Sequence, residues 1–180
     1  SSEEYSVFIG KVLTQVFSHV KGFIFWNVNY NANARYEFFT SLYSWMPQLW
    51  ETIVWKKTAM PVPHGLTRNY EFIFCFKNGE RKHLGKENET HFNFWEISNL
   101  GAQVANHRAC FPVALPERGI LLGSEPGEKV LEPFGGSGST LIACEKTQRT
   151  CITMELDPIY CDLILSRWEE FTGQKAILIS

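Results

Sequence analysis

Residues 130–140 read VLEPFGGSGST. An apolar strand end runs into an acidic residue, then a glycine cluster, then a helix-forming run, LIACEK. A glycine turn between a strand and a helix holds a ligand's polar part against backbone amides. The next strand, within CITMEL, ends at Glu155, about 20 residues past the glycines, where doubly wound folds place a carboxylate for ribose hydroxyls. Together the two features commit this part of the chain to a strand–helix–strand unit with a site at its carboxyl end.

The surrounding pattern extends that unit. Pro112 to Leu122 is expected as a helix, Val130 and Leu131 as a strand end, and Ser139 to Lys146 as a helix. Thr150 to Leu156 follows as a strand. Pro158 to Phe171 reads as a helix, with Asp157 as N-cap, proline at the first position and Gly173 as its cap. Lys175 to Ile179 is expected as a final strand. Strands and helices alternating over short links imply right-handed βαβ units and a parallel sheet covered on both faces.

The first half is less regular. Apolar residues at Val7, Phe8, Val12, Leu13, Val16 and Phe17 give Tyr5 to Val20 one buried helical face. GFIFWNV is a short β-favouring run, Ala34 to Met46 reads as a helix closed by Pro47, and Leu49 to Trp55 and YEFIFCF (70–76) read as buried strands. Asn78-Gly79 then signals a turn. Residues 78–106 are polar and poorly periodic. They are expected to form a long loop region with one short strand within His91 to Ile97, and long loops are often functional.

Three ligands compete for the glycine turn. A triphosphate loop needs a lysine directly after the last glycine, and Ser139 stands after Gly138. A dinucleotide fingerprint needs a third glycine at position 141, which is leucine. S-adenosylmethionine is the third: its ammonium and carboxylate suit a turn that offers both acceptors and amide donors, and its ribose needs Glu155.

From His107 onward the chain resembles the C-terminal half of the β-class DNA amino-methyltransferases. The resemblance lies in HRACFPVAL, PGEKVLEPFGGSGST and MELDPIY. It covers about 70 residues, and WETIVWKK with RNYEFIFCFKN matches more loosely. It implies an α/β fold with a doubly wound, mostly parallel sheet, the Rossmann-like methyltransferase fold, as a single domain over 1–180 that is incomplete at its N-terminus. It also implies S-adenosylmethionine as cofactor. The reaction implied is methyl transfer to an exocyclic amino group of DNA, with adenine N6 expected over cytosine N4. Phe111 and Pro112 would line the methionine side. Glu132, Pro133, Phe134, Gly135, Gly136 and Gly138 would form the turn around the methionyl and ribose parts. Glu155 would take the ribose hydroxyls, with Leu156 and Asp157 near the adenine. Glu132 departs from the family's usual aspartate by one methylene.

The family's second motif, [DNS]-P-P-[YFW], does not occur in the sequence. It holds the target amino group and stacks on the flipped base. DPIY at 157–160 is a degenerate copy in the wrong place, because it opens the helix after the ribose-binding strand. The chain therefore starts where the helix after the catalytic motif is expected. A homodimer or a complementing chain could supply the missing strand and catalytic loop. The alternative function is a catalytically incomplete cofactor- or DNA-binding subunit.

Net charge is -2, so no global basic field marks a nucleic-acid partner. A local one is expected instead. Lys56, Lys57, Arg68, Arg81, Lys82 and Lys86 cluster around the polar loops with Trp55, Tyr70, Phe92, Phe94 and Trp95, and His107-Arg108 lies near the cofactor segment. The 5 cysteines form no CxxC pair, which fits free thiols in a reducing cytoplasm. No apolar run reaches the ~20 residues that span a bilayer. Residues 78–106 are the expected target-recognition insert.

Overall fold

The computed structural model describes residues 2–28, 35–58, 69–81, 83–100 and 110–179. They fall into two compact units, Ser1–Glu96 and Ile97–Ser180.

The first unit opens with α1 (Ser2–His19) and β1 (Gly22–Val28). Ile9, Leu13, Val16 and Phe17, spaced to share one helical face, are the buried residues of α1. Phe17 stacks on Trp45 at 4.4 Å and meets Phe76 edge-on at 5.8 Å. The carbonyls at the end of α1 have no partners within the helix. Asn78 Nδ2 supplies them, donating to Phe17 O and Val20 O at 2.6 Å each. The Asn78-Gly79 turn thus also ties the helix to the sheet.

α2 (Arg35–Tyr43) follows, shorter than the expected segment, and Pro47 sits within a separate 3-10 turn, Met46–Gln48. β2 (Leu49–Lys56), β3 (Tyr70–Asn78) and β4 (Phe94–Glu96) complete a four-stranded sheet in the order β1-β3-β2-β4. β3 pairs antiparallel with both neighbours, from Gly22↔Asn78 to Val28↔Phe72 and from Leu49↔Phe76 to Lys56↔Tyr70. Only β4 runs parallel to its neighbour, Val54↔Phe94 to Lys56↔Glu96. This sheet is therefore mixed, where a mostly parallel one was expected, because β3 lies between β1 and β2 and runs opposite to both. In β3 the run Ile73, Phe74, Cys75 and Phe76 is buried on both faces, which is why it reads as continuous apolar sequence. Of the loop region, β4 is shorter than the expected strand, with Trp95 buried and its Nε1 donating to Phe92 O at 3.0 Å.

The second unit is the βαβ part. α3 (Ala114–Gly123) precedes β5 (Lys129–Glu132), α4 (Ser139–Thr147), β6 (Thr150–Thr153) and α5 (Pro158–Thr172). β5 and β6 pair in parallel, Lys129↔Thr150 to Glu132↔Thr153, as expected. Ile120, Ala143 and Cys144 form a buried cluster closed by Val113, Val130 and Cys151, so α3 and α4 share a core with the two strands. Arg149 is buried as well, but its guanidinium is satisfied by Ser124 Oγ, Ser124 O and Thr147 O.

Two expectations are corrected here. β6 stops at Thr153 rather than Leu156: Met154 N still donates to Glu132 O at 3.0 Å, but the Leu156 and Asp157 amides turn to the Glu155 carboxylate instead of a ladder. The strand over Lys175 to Ile179 does not form. Gln174 N and Ala176 N donate to Thr172 Oγ1 and Glu169 Oε1, and Lys175 pairs with Glu169. That stretch thus bonds back to α5, leaving Ile177, Leu178 and Ile179 exposed.

Candidate functional site

The β5–α4 turn is built by carboxylates that accept from its own backbone. Glu132 closes β5 and reaches into the turn: Oε1 accepts from Phe134 N at 2.9 Å and Oε2 from Thr140 Oγ1 at 2.8 Å. The side chain therefore bridges the start of the turn and the first turn of α4. Burial pushes its carboxyl above the ordinary carboxylate value, and these two bonds oppose that rise. Gly135 N donates to Met154 O at 2.8 Å and Gly138 N to Gly135 O at 2.8 Å, so the turn is stitched to the end of β6 and closed on itself.

Glu155 is the second carboxylate. Its Oε2 accepts from Gly136 N at 2.7 Å, and its Oε1 from Leu156 N at 2.8 Å and Asp157 N at 3.0 Å. The acidic residue at the end of β6 and the glycine turn after β5 are thus in direct contact, as the spacing of the two motifs requires. Asp157 then caps α5, accepting from Ile159 N at 2.9 Å, and Gly173 closes that helix.

Two of the glycines answer to packing. A Cβ on Gly135 would lie 2.8 Å from both Ile164 Cδ1 and Thr153 Oγ1. Gly138, at φ 79°, takes a left-handed conformation that disfavours other residues, and a Cβ there would lie 3.3 Å from Ile164 Cγ1. Both are glycine so that the turn can lie flat on α5. Phe111 is tied in through its carbonyl, which accepts from Ser139 Oγ at 3.0 Å, and Pro112 O accepts from Leu115 N at the start of α3. Pro133 is half-buried, Phe134 is about half exposed, and Leu156 is 97% exposed. All eleven residues expected at the cofactor site therefore lie in the second unit, on the segments that flank this one turn. Ser139 and Thr140, and from α5 Ile164 and Arg167, also meet this turn or the segments beside it; sequence reasoning gave none of them a role, and it passed over the last two entirely. The last two lie three apart on α5, one helical face, which was their only signal.

The expected basic surface is different. Lys56 pairs with Glu96 and Lys57 with Glu71, and Lys57 also sits over the Trp55 ring at 5.3 Å. Arg81 is half-buried and Lys86 is exposed. Arg68, Lys82, His107 and Arg108 lie outside the described residues. Among the described residues no group of His, Cys, Asp and Glu could hold a metal ion, and no helix is long and apolar enough to cross a membrane.

Comparison with known proteins places this geometry. The model of a DNA methylase family, that of the N6 and N4 methyltransferases, matches residues 1–166. The type II methyltransferase M.SmaI of Serratia marcescens is 32% identical over 130 residues, which are 64% of this chain and 44% of that protein. The chain thus spans less than half the length of that relative. Among solved structures, the PvuII DNA methyltransferase, described as cytosine-N4-specific, superposes with a TM-score of 0.76 at 20% identity, over 96% of this chain and 76% of the other. The complex of M1.HpyAVI with SAM does so with a TM-score of 0.70 at 22% identity, over 92% and 82%. These likenesses establish the Rossmann-like methyltransferase fold. A family match that runs from the first residue through most of α5 leaves one assignment: the chain belongs to the N6/N4 DNA methylase family.

Proposed function

We propose that the chain binds S-adenosylmethionine at the β5–α4 turn and serves methyl transfer to an exocyclic amino group of DNA, with adenine N6 as the target. The observation that carries the reading is the contact of the Glu155 carboxylate with the Gly136 amide. It joins a ribose-type acceptor to a turn of amide donors within one short loop pair.

The residues present fit that cofactor. Glu155 offers two carboxylate oxygens at the strand end, and each oxygen can accept more than one bond. Phe134 and Leu156 flank it with exposed apolar surface suited to a purine ring. Glu132, Ser139 and Thr140 hold the turn in one shape before any ligand arrives, which lowers the ordering cost of binding. Phe111 and Pro112 enter from the segment before α3 and would line the methionyl side. When bound, the cofactor supplies an electrophilic methyl group. The chain's share is to fix position and to keep the ribose and purine oriented.

DNA contact by Lys56, Lys57, Arg68, Arg81 and Lys82 belongs to the same proposal, as does target recognition by residues 78–106 and a single domain over 1–180. Exposed ion pairs such as Lys56–Glu96 contribute little, so Lys56 can exchange a carboxylate for a phosphate at small cost. The proposal also keeps a homodimer or a complementing chain as partner; of the two, only a complementing chain could bring the amine-holding motif, which residues 1–180 do not contain.

The test is transfer of tritiated methyl from the cofactor to DNA, followed by digestion to nucleosides. Label in N6-methyladenine supports the reading. Label in N4-methylcytosine replaces the base while keeping the site, and cofactor binding without any transfer by this chain restricts its role to the cofactor half.

A further inference from the structure

α5 does more than cover the sheet. Ile164 and Arg167 stand on one helical face, and both meet the glycine turn. Ile164 lies under Gly135 and Gly138. Arg167 Nη1 donates to the carbonyl oxygen of Ser137, a residue only 6% exposed. That peptide unit is planar, so the direction of the Ser137 C=O sets the opposite direction of the Gly138 N–H. The same N–H closes the turn on Gly135 O at 2.8 Å. One guanidinium bond therefore holds the plane on which the turn's closure depends. A charged donor also makes the bond stronger than a neutral one.

We propose that Arg167 is a positioning residue for the cofactor turn, locking the Ser137–Gly138 peptide so that the Gly136 amide and the Glu155 carboxylate present one fixed arrangement to the cofactor. The inference rests on the cofactor reading above. Arg167 touches no ligand in this scheme; it acts through the Ser137 carbonyl.

The test is calorimetric titration of S-adenosylmethionine into the 180-residue chain and into Arg167→Met, Arg167→Lys and Gly136→Asp. Methionine keeps the aliphatic stem and the helix preference but has no donor. Its Kd is expected to rise about tenfold or more, with the ligand-free chain still folded by circular dichroism. Arg167→Lys, which keeps a cationic donor, is expected to bind more tightly than Arg167→Met and more weakly than the parent. Millimolar guanidinium is expected to restore part of the affinity of Arg167→Met and to leave the parent unaffected. Wild-type affinity in Arg167→Met together with lost binding in Gly136→Asp overturns the role of Arg167 alone. Unchanged affinity in both overturns the site reading and the inference with it. If Arg167→Met does not fold, Arg167→Ala is titrated instead, with the same supporting and overturning results.

Discussion

In the first unit the carboxylates of Glu71 and Glu96 meet Lys57 and Lys56 on a strand and its edge, while the centre of the sheet is Phe74, Cys75 and Phe76. In the second unit the carboxylates of Glu132 and Glu155 turn onto backbone amides of a single loop. The first arrangement spends side chains on covering a sheet, and its polar groups finish the rim. The second spends them on shaping backbone, and the apolar core, around Ile120, Ala143 and Cys144, is small. The contrast frames the proposed site: the ligand chemistry proposed for this chain goes with carboxylates committed to main-chain donors, not with the richest aromatic packing.

That division can be broken by substitution. The largest effect is expected at Phe76, fully buried and in edge contact with Phe17. Phe76→Ala should cost about 3–5 kcal/mol in denaturant unfolding by loss of burial and creation of a cavity. The affinity of whatever protein remains folded for S-adenosylmethionine should stay within about twofold of the parent, a shift of under ~0.5 kcal/mol. A tenfold weaker affinity would erase the division. Gly138→Ala comes next. A residue with a Cβ at that left-handed position costs about 1–2 kcal/mol, and here the penalty should appear in cofactor affinity as well as in the melting midpoint.

Glu132 sharpens the comparison through pH. Burial holds its folded value above the ordinary 4.5. The stability this contributes is fully present below the unfolded value and is lost as pH rises through the raised folded value. Unfolding free energy of the parent should therefore decline relative to Glu132→Gln as pH climbs from about 4.5 towards neutrality. Parallel pH profiles for the two proteins would show that Glu132 ionises without penalty. The smallest effect belongs to the rim. Lys56→Ala should change stability by less than about 1 kcal/mol, because exposed ion pairs such as Lys56–Glu96 contribute little; a drop in DNA affinity in a binding titration would instead assign it to phosphate contact.

The sequence made these two regions legible to different degrees, for physical reasons. Asp157, Pro158 and Gly173 are local signals, and α5 begins and ends where they stand. The pairing of Glu155 with the glycine turn was legible because strand–helix–strand geometry ties the two positions together. The antiparallel course of β1, β3 and β2 was not, since a buried apolar run such as YEFIFCF has no direction written into it. Lys175 to Ile179 misled because β preference states what a segment would do beside a strand edge, and here its amides bond to Thr172 and Glu169 instead. Ile164 and Arg167 escaped notice because their partners are main-chain atoms about 30 residues away, which side-chain patterns along the sequence do not encode.

The central claim is that Gly136 and Glu155 form one cofactor-binding unit. Calorimetric titration of S-adenosylmethionine into the parent chain, Gly136→Asp and Glu155→Ala tests it most directly. The account predicts saturable one-site binding by the parent and no measurable heat of binding in either variant, with both variants still folded by circular dichroism. Parent-like affinity in both folded variants would contradict it.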